Sequence, residues 1–174
     1  MDSRENWLYE INADNSARYV LGEKGKRMLV CLGINPSSAT PEKLDKTSIS
    51  VRSIASNNRY DGWVIINLYP VRGTNISSLP DEMDPEEVKK NVAAIKRLIC
   101  TDEVDIWAAF GDLFYSKSYF FNCFKELLDG LSNVKVHWKA TRINRSGTPR
   151  HPSREKNSAV LVPFDMESFV NSFS

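Results

Sequence analysis

The sequence predicts an α/β fold with three α/β/α layers, a mainly parallel four-stranded central sheet and an N-terminal β-hairpin. Uninterrupted apolar runs at Met28–Leu32, Trp63–Ile66 and Val104–Phe110 are typical of strands that are covered on both faces. Segments with helical spacing separate these runs, which favours right-handed crossovers and parallel pairing. The chain of 174 residues has the length of one domain, which we assign to residues 1–174.

The N-terminal hairpin is predicted from two short alternating runs. Trp7–Ile11 and Arg18–Leu21 alternate in polarity, and the polar segment Asn12–Ser16 between them has the composition of a turn. Met28–Leu32 follows as the first strand of the central sheet, and Thr47–Asn57 is expected to form the first helix.

The second half of the chain continues the alternation of helices and strands. Asp84, directly before a proline, marks a helix start, because aspartate is a good N-cap and proline fits the first helical turn. Beyond the strand Val104–Phe110, Tyr119–Leu131 carries one apolar helical face and Val134–Ala140 is the fourth strand. Asp165 is expected to cap a short last helix.

The composition excludes several classes of protein. Apolar residues make up 41% of the chain and charged residues 26%, which is typical of a globular protein. No apolar run approaches the roughly 20 residues of a membrane span, and the polar start Met1–Asn6 does not read as a signal peptide. We therefore expect a cytoplasmic protein with no membrane partner. Three scattered cysteines and two histidines predict neither a metal site nor a cofactor.

The charge is distributed unevenly along the chain. The net charge of +1 creates no overall field that would attract nucleic acid. Between Asp129 and Glu155, however, there is no acidic residue, and this stretch holds both histidines and six lysines and arginines. The stretch is either a solvated basic face or a surface that binds phosphates. The second alternative predicts single-stranded nucleic acid or a nucleotide as the partner.

Polar segments follow the predicted strands at the edge of the sheet where ligands bind. In parallel sheets, ligand sites lie beyond the carboxyl ends of the strands. The segments at this edge are Gly33–Ser37, Asn67–Thr74, Gly111–Asp112 and Thr141–Arg154. We therefore expect the chemistry of this protein to reside in these four segments.

The first segment joins a flexible glycine to an amide and a hydroxyl. Gly33 permits a close approach of the backbone, and Asn35 offers both a donor and an acceptor. Ser37 either binds a phosphate or caps the following helix. The same residues also fit a plain capped turn.

The second segment places an amide, a phenol and a guanidinium in one loop. Asn67 at the strand end is suited to read the edge of a base with two hydrogen bonds. Arg72 is suited to bind a phosphate, and Tyr69 lies between the two. Alternatively, Asn67 satisfies the backbone of its loop and Arg72 pairs with a surface acid.

The last segment holds a histidine between two prolines. A rigid imidazole at His151 suits charge stabilisation or proton transfer, although an ordinary surface loop has the same composition. Arg150 and Ser153 flank it as candidate substrate contacts. Among the carboxylates, Asp45 is a candidate catalytic base, whereas Asp112 is most simply a helix N-cap.

Taken in order, these segments resemble four motifs of the uracil-DNA glycosylase superfamily. Gly33-Ile34-Asn35-Pro36 resembles the loop that positions the attacking water, and the strand ending at Asn67 resembles the one whose asparagine reads uracil. Trp107–Gly111 is similar to an apolar strand that ends in glycine. His151-Pro152-Ser153 is similar to the motif whose histidine supports the departing base.

Within that superfamily, the chain looks closest to an uncharacterised bacterial and phage family. Its motifs are N-P-S-x-A, D-x-T, N-L-x-x-x-R-x-T and P-R-H-P. In this sequence they begin at Asn35, Asp45, Asn67 and Pro149, respectively. This resemblance covers nearly the whole chain but implies no known activity.

Two departures from the glycosylase pattern bear on the substrate. Ser37 stands where the mismatch-specific branch has glycine, and Arg154-Glu155-Lys156 follow where glycosylases carry an apolar wedge. The lack of a wedge favours a single strand or a free nucleotide over a duplex.

The resemblance and the residues together predict a hydrolase that cleaves an N-glycosidic bond in single-stranded nucleic acid or a nucleotide. One alternative is a non-catalytic nucleotide or nucleic-acid binding module with the same pocket, and another is a different reaction on a nucleotide with Asp45 as the base. The predicted catalytic residues are Asn35, Asp45 and His151. The predicted substrate-binding residues are Gly33, Ser37, Asn67, Tyr69, Arg72, Gly111, Arg150 and Ser153.

Overall fold

The computed structural model of the protein describes residues 5–173. Most of the predicted polar start, Met1–Asn6, lies outside this range. The strands are β1 (Trp7–Ile11), β2 (Arg18–Glu23), β3 (Met28–Gly33), β4 (Gly62–Asn67), β5 (Glu103–Ala108), β6 (Lys135–Ala140) and β7 (Val162–Pro163). The α-helices are α1 (Lys46–Asn57), α2 (Pro85–Leu98), α3 (Tyr119–Gly130) and α4 (Met166–Asn171).

The described strands form one mixed sheet of seven strands, in the order β1-β2-β4-β3-β5-β6-β7. The inner strands β4, β3, β5 and β6 run parallel, and the pairings β1–β2, β2–β4 and β6–β7 at the two edges are antiparallel. The protein is therefore an α/β protein, but the prediction of a mainly parallel four-stranded central sheet is wrong.

The error arises from the N-terminal hairpin, which extends the sheet instead of standing apart from it. β2 pairs antiparallel with β4, with Leu21 opposite Ile65 and Glu23 opposite Trp63. β4 thus lies between β2 and β3, although β2 and β3 are neighbours in sequence. The pairing joins segments about 40 residues apart, and no local pattern in either segment encodes it.

The register of β3 and β4 brings two of the predicted site segments together. These parallel strands pair in step from Met28 opposite Gly62 to Gly33 opposite Asn67. The strands therefore end side by side, and the loops that follow them leave the sheet at the same point.

Helices cover both faces of the sheet. Alternate residues of the inner strands face two separate cores, as expected from the two-residue period of a strand. On one face Leu32 and Ile66 pack with residues of α2, α3 and α4, including Phe124. On the other face Cys31 and Ile65 pack with residues of α1.

The helix starts follow the predicted capping chemistry. Asp84 caps α2 by accepting hydrogen bonds from the backbone N–H groups of Glu86 and Glu87, and Asp165 caps α4 through Ser168 N–H. Both predicted caps are confirmed. Within residues 5–173, no helix has the length and apolar character that crossing a membrane requires.

We expect Gly22→Ala to test the pairing of the hairpin with the inner sheet. Gly22 lies opposite Val64, and a Cβ at this position would overlap the carbonyl oxygen of Trp63 and the Cα of Val64. The overlap should lower the free energy of unfolding by about 3 kcal/mol, as measured by urea denaturation. Lys24→Ala, an exposed change just beyond the same strand, should alter it by less than about 0.5 kcal/mol. Equal small effects of both changes would contradict the observed sheet order.

Candidate functional site

A cavity of about 220 Å³ opens at the carboxyl ends of the parallel strands. It lies where such sheets generally bind ligands. We call it the central cavity. Its polar lining comes from three of the predicted segments, from β2 and from the start of α1. The side chains with polar groups in this lining are those of Arg18, Asn35, Ser37, Asp45, Thr47, Ser48, Asn67, Thr74 and His151.

Hydrogen bonds hold the first two segments against each other beyond the ends of β3 and β4. The backbone N–H groups of Leu68, Tyr69 and Gly73 donate to carbonyls of the segment Gly33–Pro36. Asn35 reinforces this contact, because its Nδ2 lies 3.0 Å from the carbonyl oxygen of Gly73 and 3.1 Å from that of Pro36. The side-chain oxygen of Asn35 makes no hydrogen bond with any residue in the described range, and Asn35 lines the cavity.

Asn67 lines the central cavity and carries a buried, unpaired amide nitrogen. It is the last residue of β4 and is only 3% exposed. Its backbone carbonyl accepts a hydrogen bond of 2.8 Å from Asn91, but its side-chain amide has no partner among residues 5–173, and Nδ2 is fully buried. A buried polar group without a partner costs about 1–3 kcal/mol. The alternative in which the side chain of Asn67 satisfies its loop backbone therefore does not hold among the described residues.

Arg18 contributes a buried positive charge. It begins β2, lines the central cavity and is 3% exposed. Its Nη1 donates to the carbonyl of Ala39 at 3.2 Å, while Nε has no partner and no ion pair with a described carboxylate forms. Burial, helped by the charge of Arg72, lowers the pKa of Arg18 to about 10. The guanidinium is still charged at neutral pH.

Asp45 lies at the N-terminus of α1, where one of its two carboxylate oxygens is hydrogen-bonded. Oδ1 accepts hydrogen bonds of 2.8 Å from both the backbone N–H and the hydroxyl of Ser48. Oδ2 makes no hydrogen bond with any described residue. Asp45 thus caps the helix with one oxygen and leaves the other available in the cavity.

His151 is a neutral imidazole with a defined tautomer. Its Nδ1 lies 3.1 Å from the backbone N–H of Ser153 and 2.7 Å from its hydroxyl. A backbone N–H can only donate, so Nδ1 is an acceptor and the proton of the neutral ring is on Nε2. Burial lowers the pKa of His151 below its ordinary value of 6.5, although the carboxylate of Asp45 acts in the opposite direction. His151 therefore offers an N–H donor at neutral pH.

A second cleft of about 490 Å³ adjoins the central cavity and shares His151 with it. We call it the outer cleft. Its lining includes three predicted site residues, Gly111, Arg150 and Ser153. Gly111 has φ of +63°, and a Cβ there would lie 3.1 Å from the Cβ of His151. The glycine thus allows the histidine loop to pack against the end of β5.

Asp112 shapes the outer cleft instead of capping a helix. Its Oδ1 accepts hydrogen bonds from Ser146 and Thr148 and a longer one of 3.2 Å from Asn144. The prediction that Asp112 is an N-cap is wrong, since Gly111 occupies that position and no side-chain cap forms. The carboxylate instead holds the loop before His151 in place.

Two predicted substrate-binding residues, Tyr69 and Arg72, line neither the central cavity nor the outer cleft. Tyr69 is completely buried, and its hydroxyl accepts from the backbone N–H of Asp84. Arg72 uses all its donors within the protein, with Nη1 2.6 Å from the Ser37 carbonyl and Nη2 3.0 Å from the Tyr9 hydroxyl. Arg72 thus connects the hairpin to the first segment. The structure therefore offers neither side chain to a ligand in the cavity.

Sequence reasoning missed Arg18 as a site residue. The available signal was an arginine at the start of the otherwise apolar strand Arg18–Leu21, which reads locally as an exposed end of a hairpin. Cys31, which also lines the central cavity, is not a nucleophile, because burial raises the pKa of its thiol. Among residues 5–173, no cluster of acidic, histidine and cysteine side chains is arranged to bind a metal.

The titration of His151 is a direct test of its surroundings. Its depressed pKa means that the unfolded chain takes up a proton more readily than the folded protein as the pH falls below about 6.5. The stability contributed by the neutral ring is complete above pH 6.5 and is lost as the pH falls through the folded pKa. We expect a ¹H–¹⁵N NMR titration to give His151 a pKa below 6.5 and His151→Gln to reduce the loss of stability in acid. A pKa above 6.5 would contradict the partly buried, neutral state.

Arg72 and Arg150 should differ in their effect on stability. Arg72→Ala removes the donors to Ser37, Tyr9 and Asn15 and leaves the partly buried acceptors of Ser37 and Tyr9 unpaired. We expect it to lower the free energy of unfolding by about 2–3 kcal/mol. Arg150→Ala should cost less than about 1 kcal/mol, because its only described contacts are 3.4 Å to Asn144 and 3.9 Å to Glu155. Chemical denaturation of both variants measures the difference. Equal losses of stability would contradict the role of Arg72 in connecting the hairpin to the first segment.

Comparison with known proteins supports the expectation of an uncharacterised family. No curated protein and no solved structure matches the chain. One family model matches residues 18–153, a range that contains the entire lining of the central cavity. The match covers more than half of the chain, and the chain therefore belongs to the family described as protein of unknown function (DUF1643).

Proposed function

We propose that this protein is a hydrolase that cleaves the N-glycosidic bond of a nucleotide, either free or in single-stranded nucleic acid. One observation carries the proposal: an unpaired amide, a carboxylate oxygen and an imidazole N–H meet in a single cavity. They belong to Asn67, Asp45 and His151. These three groups match the three tasks of the reaction, which are recognition of a base, activation of water and support of the leaving group. The resemblance of the surrounding motifs to the uracil-DNA glycosylase superfamily also supports this proposal.

Asn67 is the group proposed to recognise the base. Its amide carries a donor and an acceptor, and neither has a partner among the described residues. A base edge with a neighbouring carbonyl and N–H would satisfy both. A base lacking this pattern would leave the amide buried and unpaired, which is how buried polar sites discriminate strongly between ligands.

Asn35 and Asp45 are proposed to act on the attacking water. Asn35 is fixed by its bonds to backbone carbonyls, so its side-chain oxygen can only accept a hydrogen bond and thereby orient the water. The free Oδ2 of Asp45 accepts the proton as the new bond to the sugar carbon forms. The helix cap through Oδ1 keeps this carboxylate in place.

His151 is proposed to support the departing base. When the bond between sugar and base breaks, its electron pair passes to the base. The Nε2–H of a neutral imidazole can donate a hydrogen bond to the resulting anion without placing a full positive charge in the cavity. Ser153 positions the ring through Nδ1.

The basic outer cleft fits a flexible strand. Arg150 and Arg154 line it next to His151, and both belong to the stretch without acidic residues. Phosphates of a single strand entering the cavity would pass these side chains. A duplex is a poorer substrate, because the polar sequence after Ser153 provides no apolar wedge to hold the strands apart.

The second candidate is a binding module that recognises a nucleotide without cleaving it. Asn35 favours this alternative, because its bonds to three backbone carbonyls give it a structural role that needs no water. Recognition by Asn67 would be the same in both cases. The two candidates differ only in turnover.

Replacement of His151 separates the two candidates. We expect His151→Ala to lower kcat by roughly 100-fold while changing nucleotide affinity little, because the imidazole acts mainly on charge that develops in the transition state. The measurement is release of free base from uracil- and hypoxanthine-containing single strands and from the corresponding nucleotides, alongside binding by calorimetry.

His137→Ala is the matched control, because His137 lies on β6 outside both cavities and contacts Glu103. It should leave turnover unchanged. Binding without base release by the parent protein would exclude the hydrolase and favour the binding module. Equal turnover and equal binding in the His151 variant and the parent would exclude a role for His151 in both.

A further inference from the structure

The central cavity contains a positive charge that no described carboxylate neutralises by direct contact. Arg18 is only 3% exposed, and of its guanidinium nitrogens only Nη1 has a hydrogen-bond partner among the described residues. That partner is a neutral carbonyl. Burying a cation without a counter-ion is unfavourable by several kcal/mol, so proteins rarely do so without a purpose.

Two charged side chains near Arg18 act on it in opposite directions. Arg72 also approaches the carbonyl of Ala39, so that two guanidinium groups share one acceptor. Asp45 is the acidic side chain in the lining of the cavity, and its charge acts favourably on Arg18. It forms no ion pair with Arg18, however, and its Oδ1 is held by Ser48. The charge of Arg18 is therefore left without a directly bonded counter-ion among the described residues.

We propose that the central cavity binds a terminal phosphate group and that Arg18 is the residue that binds it. Hydroxyl groups of Ser37, Thr47 and Thr74 line the same cavity and can donate to phosphate oxygens. A guanidinium presents paired donors that match two oxygens of a phosphate. The proposal rests on the proposed function and deepens it, because it names the substrate as a nucleotide with a terminal phosphate.

The depth of Arg18 explains why the phosphate is terminal. A phosphate within a strand has a nucleotide attached on each side. A cavity of about 220 Å³ has no room for the phosphate together with a nucleotide on each side of it. A terminal phosphate enters end first. A free nucleotide and the phosphorylated end of a single strand both carry this group.

Binding of inorganic phosphate is the direct test. Arg18→Met keeps an unbranched apolar stem, although a shorter one, and removes the charge. We expect it to raise the Kd for inorganic phosphate at least tenfold in calorimetry. In phosphate-free buffer its Tm should be unchanged or higher, because removing an unpaired buried charge relieves its desolvation. Arg18→Lys keeps the charge without the paired donors and should give an intermediate Kd.

Arg52→Met is the matched control, because Arg52 is exposed on α1 and does not line the central cavity. It should bind phosphate like the parent. Equal phosphate affinity in parent and Arg18→Met overturns the proposal, and so does a failure of the parent to bind phosphate at all. If Arg18→Met does not fold, parent-like phosphate affinity in Arg18→Lys overturns it instead.

The source of the phosphate is settled by comparing a nucleoside, its 5′-monophosphate and single strands with and without a 5′-phosphate. Tighter binding of the phosphorylated member in either pair supports the proposal, and the pair that shows it identifies the source. No gain in either pair overturns it. Loss of phosphate binding in Arg18→Met together with the absence of base release by the parent would reject the glycosidase while leaving the phosphate site in place.

Discussion

The in-register pairing of β3 with β4 is the constraint on which the rest of the site depends. It places Gly33 opposite Asn67, so that both strands end at one level. The loops then remain bonded to each other for several residues, and Asn35 closes this contact with its side chain. A shift of this register by one residue would turn Asn67 to the opposite face of the sheet. The cavity would then lose its amide.

The cavity is kept at a cost in stability. Four buried side-chain atoms in the described part of the chain lack a hydrogen-bond partner, and those of Arg18 and Asn67 belong to residues that line the cavity. Each unpaired group of this kind is worth about 1–3 kcal/mol of destabilisation. Buried polar groups that are left unpaired beside a cleft are a recurring feature of functional sites.

The histidine loop depends on a different set of interactions from the rest of the site. Asp112 accepts hydrogen bonds from Ser146 and Thr148 in the loop before His151. Gly111 allows His151 to approach the end of β5. The result is a neutral imidazole whose Nε2–H has no partner among residues 5–173. This state suits hydrogen bonding to a developing anion.

Local sequence features were sufficient to predict the caps at Asp84 and Asp165 and the grouping of chemistry at the strand ends, because capping and strand burial depend on neighbouring residues. Long-range pairing was not predictable in this way. The edge position of β2 next to β4 changed the sheet from four parallel strands to seven mixed ones.

The same division holds for the site. The sequence by itself determined which polar residues follow the apolar strands, and Asn35, Asp45, Asn67 and His151 do line one cavity. Only the tertiary structure decided that Arg18 joins them, while Arg72 and Tyr69 are used by the protein itself. The physical reason is that burial and hydrogen-bond partners of a side chain are set by segments distant in sequence. The local sequence pattern around an arginine is the same whether its guanidinium lies in solvent, against a carbonyl or inside a cavity.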